Sequence, residues 1–161
     1  MKKKILHSAL LIVFVLISSC SGYKPIFSSS NINFEISQYS LEGDKKLSNK
    51  IYSQLYNLTK SNKNDLSRQS IDININTNKN KEATAKNSAG KILEYKITLN
   101  INVSISNFLT NDKILNKKFT TFSSYKVQDQ YSETLKLENK TIENLLNKIY
   151  QDLIISISEN L

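Results

Sequence analysis

Tyr95-Lys96-Ile97-Thr98-Leu99-Asn100-Ile101-Asn102-Val103-Ser104-Ile105-Ser106 is the stretch that decides the fold. Its odd positions are apolar or aromatic and its even positions are polar. Successive side chains of a strand point to opposite faces, so this alternation describes a strand with one buried and one wetted face. Strands of that kind build antiparallel sheets that are covered on one side and open on the other.

The neighbours repeat the pattern. Upstream, Ile71, Ile73 and Ile75 alternate with Asp72, Asn74 and Asn76. Thr77 to Ala89 is polar, and reads either as an extension of that strand or as a loop, with Ser88-Ala89-Gly90 marking a turn. Downstream, Asn111-Asp112 makes a turn into a further strand. Leu115, Phe119 and Tyr125 share one face of that strand with Lys117, Thr121 and Ser123, and Phe122 breaks its alternation. Three consecutive strands at short spacing predict an antiparallel meander. Near the start, Ile32, Phe34 and Ile36 alternate with Asn33 and Glu35, giving a short strand.

Two segments carry helical spacing instead. Leu47, Ile51, Leu55 and Leu58 form one stripe, flanked by Tyr52 and Tyr56, after Gly43 and a candidate N-cap at Asp44. The stripe runs into a Lys60–Asn64 loop. From about Glu133, Ile142, Leu145, Leu146, Ile149, Tyr150, Leu153, Ile154, Ile157 and Leu161 recur at i, i+3 and i+4. Strand, helix, three strands, helix, each with a single apolar face, predicts an α+β fold. It is a two-layer sandwich with two helices packed on one face of a four-stranded, mostly antiparallel sheet.

The N-terminus has a separate purpose. Met1-Lys2-Lys3-Lys4 is cationic, Ile5 to Ile17 is apolar except for His7 and Ser8, and Ile17-Ser18-Ser19-Cys20 follows. A basic head, a short apolar run and small residues describe a secretory signal peptide. The run is shorter than the roughly 20 apolar residues of a spanning helix. An aliphatic residue, two small ones and a cysteine form a lipobox, with cleavage between Ser19 and Cys20 and lipid attached to the Cys20 thiol. The expected organisation is a signal peptide over 1–19, a lipidated tether over 20–30 and a single domain over 31–161. Ser21 is not the Asp that would hold many lipoproteins at the inner membrane, which favours the outer membrane.

Composition narrows the chemistry. The chain has one cysteine and one histidine, Cys20 and His7, and His7 leaves with the signal peptide. No Cys/His metal site, Ser-His-Asp triad or Cys-His pair can be built from the remainder, and no disulfide either. There is no glycine-rich phosphate loop among three glycines. Glu133, Glu138 and Glu143 are spaced by five on the last helix, do not converge, and read as a solvated face. No enzyme, metal or cofactor is expected. The formal charge is +8, falling to +5 without Lys2, Lys3 and Lys4. Export makes nucleic acid an implausible partner, leaving anionic lipid, anionic glycolipid or an acidic protein surface. Lysines crowd 79–96 and 112–126, so the middle turns and polar faces are expected to be basic.

Several local runs resemble the LPS-assembly lipoprotein family, LptE. Cys20-Ser21-Gly22-Tyr23-Lys24-Pro25-Ile26-Phe27 is similar to the start of its mature chains, with Ser21 inserted before Gly22. Ala83-Thr84-Ala85, Gly90 and Tyr95-Lys96-Ile97-Thr98-Leu99 resemble its second hairpin. Ser124-Tyr125 and Tyr131-Ser132 resemble the approach to its last helix. The resemblance implies a sheet with two helices on one face. It also implies a lipid-anchored protein at the periplasmic side of the outer membrane. That protein would assemble with and plug the LPS-transport β-barrel LptD, contact lipopolysaccharide and assist its insertion. No motif fixes the LPS contacts. On charge alone the candidates are Lys86, Lys91, Lys96 and Lys118. The alternative is a periplasm-facing lipoprotein adaptor of another envelope-assembly complex.

Overall fold

The structure is a computed structural model that describes residues 34–60 and 68–160. Ser19, Cys20, the 20–30 tether and Ile32 lie outside the described residues. In chain order the elements are β1 (Phe34–Gly43), α1 (Lys45–Lys60), β2 (Gln69–Lys86), β3 (Ile92–Asn107), β4 (Lys113–Lys126) and α2 (Tyr131–Ser158). They form the expected α+β sandwich: one four-stranded sheet in the order β1-β2-β3-β4, with α1 over β1 and β2 and α2 over β3 and β4. The meander is present, because β2–β3 and β3–β4 are antiparallel. β1 and β2 are parallel. Parallel neighbours need a crossover, and α1 is that crossover.

Thr77 to Lys86 continues β2 as strand. It carries no apolar alternation of its own, and is held by pairing with β3, in register to Ala83 and then through two register shifts to Lys86 opposite Ile92. The turn that follows places Gly90 at φ 81 and uses the Asn87 side-chain oxygen to accept from the backbone N–H of Ala89 and Lys91, at 3.1 and 2.9 Å. The turn before β4 places Asn111 at φ 60, a left-handed conformation that Asn tolerates better than most residues. Phe122 does not break β4. It stays in register opposite Thr98, pointing out on the polar face at 67% exposure.

β1 carries a bulge between Ile36 and Gln38. The extra residue restores the alternation, so Phe34 and Ile36 before it and Leu41 after it all pack on the core. At the corner into α1, Gly43 takes φ 72, and Asp44 donates its N–H to Thr77 O at 2.7 Å. Asp44 caps the helix as expected, its Oδ1 accepting from Leu47 N at 3.2 Å. Ser48 completes the joint, donating to Glu42 O at 2.8 Å and lying 2.9 Å from Thr77 Oγ1.

The core lies between the layers. Ile71 and Ile75 of β2, Ile97, Leu99, Ile101 and Ile105 of β3, Ile51 and Leu55 of α1, and Leu146, Ile149 and Leu153 of α2 are sealed from solvent. Each such side chain contributes about 1.5–3 kcal/mol on burial. β3 contributes the unbroken inward row because it is interior to the sheet.

Candidate functional site

The alternation that buries one face of the sheet leaves the other open. Among the described residues no element packs on that second face. It is polar along every strand except at Phe122 of β4, which stands exposed on it. Glu42 of β1 reaches across to β2, its two carboxylate oxygens each accepting an amide N–H, from Asn74 and Asn76, both at 3.1 Å. Thr120 of β4 donates to Asn100 Oδ1 at 2.8 Å, and Ser70 donates to Glu35 at 2.8 Å. Lys96 pairs with Glu82 at 2.6 Å, and its ammonium lies 5.9 Å from the centre of the Phe122 ring. These bonds run sideways between strands, so the polar side chains lie as a pre-ordered sheet, not as free chains.

A second feature lies on the helix side, where the far end of the sheet meets the start of α2. Lys81 stands on the inward parity of β2, three steps of two beyond Ile75. Its ammonium is 2.6 Å from Glu138 of α2 and stacks over Tyr95 at 4.3 Å. Tyr125 donates its hydroxyl to the same Glu138 oxygen at 2.8 Å. Partial burial opposes both charges, but the mutual hydrogen bond outweighs it, holding the Lys81 ammonium above and the Glu138 carboxyl below their ordinary ranges. Burial pushes the Tyr125 hydroxyl up. An open cleft of about 350 Å³ adjoins this cluster, lined in part by Lys91, Ile92, Tyr131 and Leu135. The acid and the base satisfy each other, so the cluster ties α2 to the sheet.

Glu138 was expected on a solvated helix face with Glu133 and Glu143. It is 16% exposed and bonded instead. Glu143 is solvated and pairs with Lys50 of α1 at 3.2 Å. The signal for Glu138 was present in the inward parity of Lys79 and Lys81 on β2, whose charges call for an acid from above.

The four lysines singled out by charge do not come together. Lys86 ends β2 and Lys91 sits in the following turn, so these two share the hairpin tip. Lys96 is on the polar face opposite Ser124, and is already paired. Lys118 is on the same face opposite Asn102, six residues along β4 from Ser124 and so about 20 Å away. Three lysines of the basic stretches lie on the other side altogether, Lys79 among them, opposite buried Leu99. Lys81 faces α2, and Lys117 donates to Ser156 of α2 at 2.8 Å. The middle strands are therefore not a uniformly basic patch.

No family model matches the sequence, and no curated protein matches it. Solved structures do share the fold. Rare lipoprotein B from Shewanella oneidensis aligns with a TM-score of 0.53 at 12% identity, covering 76% of this chain and 94% of that one. A minor lipoprotein from Acinetobacter baumannii gives 0.55 at 18% identity, covering 79% and 94%. An uncharacterized lipoprotein B from Nitrosomonas europaea gives 0.57 at 14% identity, covering 86% and 90%. At these identities the likeness is one of fold.

Proposed function

We propose that this chain is an outer-membrane lipoprotein that assembles with and plugs the LPS-transport β-barrel LptD from the periplasmic side, assisting lipopolysaccharide insertion. The observation that carries the reading is the uncovered sheet face, polar and laterally hydrogen-bonded on all four strands. The lumen of a large barrel is itself polar, so such a face can seat against its inner wall with little desolvation of apolar surface. Three supports stand beside it. The sharing of the fold with proteins described as lipoproteins agrees with an anchor at Cys20. The runs around Cys20, Ala83–Leu99 and Tyr125 resemble LptE. The role is one of binding, since the close acid–base pair, Lys81 and Glu138, is consumed in holding α2.

The test is affinity purification of the tagged, lipidated full chain from detergent-solubilised envelopes. A β-barrel of the LPS-transport type should co-purify in near-equal amount, and depletion of the chain should lower surface lipopolysaccharide. Co-purification with a different envelope complex and no barrel would sink the reading. Cys20→Ala should move the chain from the membrane fraction to the soluble fraction. Retention at the membrane would contradict the anchor.

A further inference from the structure

We propose that the uncovered sheet face is a docking surface with split charge: its β1–β2 half takes cationic side chains of a partner protein around Asp72, and its β4 half takes the partner's carboxylates at Lys118 and Lys126. The inference rests on the docking role above and adds an orientation to it.

The charges on this face sort by strand. β1 presents Glu35 and Glu42, and β2 adds Asp72. β4 presents Lys113, opposite Ser106, with Lys118 and Lys126, and no acid. Between them, Lys96 and Glu82 cancel each other at 2.6 Å. β1 stands three strand spacings from β4, about 14 Å, and Asp72 on β2 two, about 10 Å. Neither half is ion-paired to the other among the described residues. Glu42 and Glu35 are hydrogen-bonded to neutral amides and a hydroxyl only. Lys118 and Lys126 form no ion pair among the described residues. Glu94 lies opposite Lys126 in register and keeps its charge, its Oε1 accepting from the neutral Thr84 hydroxyl at 2.8 Å, so Lys118 carries the basic half more than Lys126 does.

Asp72 fixes where a partner group would enter. Its Oδ1 is buried and has no hydrogen-bond partner among the described residues. It borders an open cleft of about 270 Å³ on this face, with Gln38, Ser40, Asn74, Ser104 and Ser106 around it. A buried carboxylate oxygen without a donor is costly. The surrounding hydroxyls and amides offer further acceptors. The group that meets this set is a multi-donor cation, a guanidinium above all, since its fork presents several N–H groups in one plane. Arg68 stands at the same end of β2, yet makes no ion pair with Asp72 among the described residues, and its Nε and one Nη have no partner there either. The cleft therefore has room for a cation supplied by a partner. A protein wall supplies both signs at fixed positions, which a phosphate-bearing surface does not.

The experiment uses the lipidated full chain in its native envelope, with a benzophenone photo-crosslinker at Ser40 in one preparation and at Thr120 in another. Cross-linked partner peptides are mapped by mass spectrometry. The expected result is a protein adduct from both positions, next to Arg or Lys for Ser40 and next to Asp or Glu for Thr120. Reversing either half, by Glu42→Lys with Asp72→Lys or by Lys118→Glu with Lys126→Glu, should lower adduct yield about tenfold or more. Lys50→Glu on the helix side should leave it unchanged. Asp72→Asn and Lys118→Gln, which conserve size, keep the test decisive where a reversal fails to fold, and should lower the yield several-fold. Barrel adducts that persist with reversed charges would overturn the split-charge face while the docking role stands. Adducts to glycolipid only, or none from either position, would overturn both.

Discussion

Gly43 is where a single atom matters most. A Cβ at this position would lie 2.1 Å from Thr77 O, the carbonyl that accepts from Asp44, and the residue sits at φ 72. Gly43→Ala therefore has to move backbone at the joint of β1, α1 and β2, and is expected to cost about 1–3 kcal/mol, read as a lower midpoint in chemical denaturation. Glu138 gives a second prediction. Its folded-state pKa is depressed, so its contribution is present above the unfolded carboxylate value of about 4.3 and is lost as pH falls through the folded value. The stability gap between the wild type and Glu138→Gln should be open near neutral pH and shrink as pH falls below the unfolded carboxylate value, followed by thermal unfolding across pH. A gap independent of pH would contradict the Lys81–Glu138 bond. At this scale the sequence was legible only in part. Asp44 and the turn residues Gly90 and Asn111 announce themselves by type. The Glu138 role was hidden, because helix spacing groups it with two solvated glutamates and only the distant Lys81 explains it.

The strands and helices were legible wherever one face is apolar and the other polar. β3 and the inner half of β2 follow that rule, and so do α1 and α2. Legibility failed where pairing substitutes for patterning. Thr77–Lys86 has no apolar stripe, yet it is strand because the outer half of β3 offers it a ladder, regular to Ala83 and bulged beyond. The β1 bulge escaped notice for a related reason, since one inserted residue shifts the inward parity and makes the strand look shorter than it is. The α2 stripe is the element on which the two layers depend. Leu146 is fully buried at its centre, and Leu146→Ala should cost about 2–5 kcal/mol in denaturant unfolding. A loss within experimental error would mean that α2 does not pack as described.

For the molecule as a whole, the class and layering were readable from the order of elements, because each element had one face to bury and the only compact arrangement puts both helices on the same side. The distribution of charge was not readable. A tally by sequence stretch groups Lys81 and Lys117 with Lys96 and Lys118, whereas strand parity sends the first two to the helices and the last two to the open face. That sorting converts a loosely basic region into a face with an acidic and a basic half. The central claim is that this face, and not the helical one, meets the partner. It is tested most directly by comparing photo-crosslinkers at Asn102 on the open face and at Lys148 on the solvent side of α2, both in the lipidated chain in intact envelopes. A barrel adduct at Asn102 should exceed any at Lys148 by about tenfold, and an adduct at Lys148 with none at Asn102 would place the partner on the helical face instead.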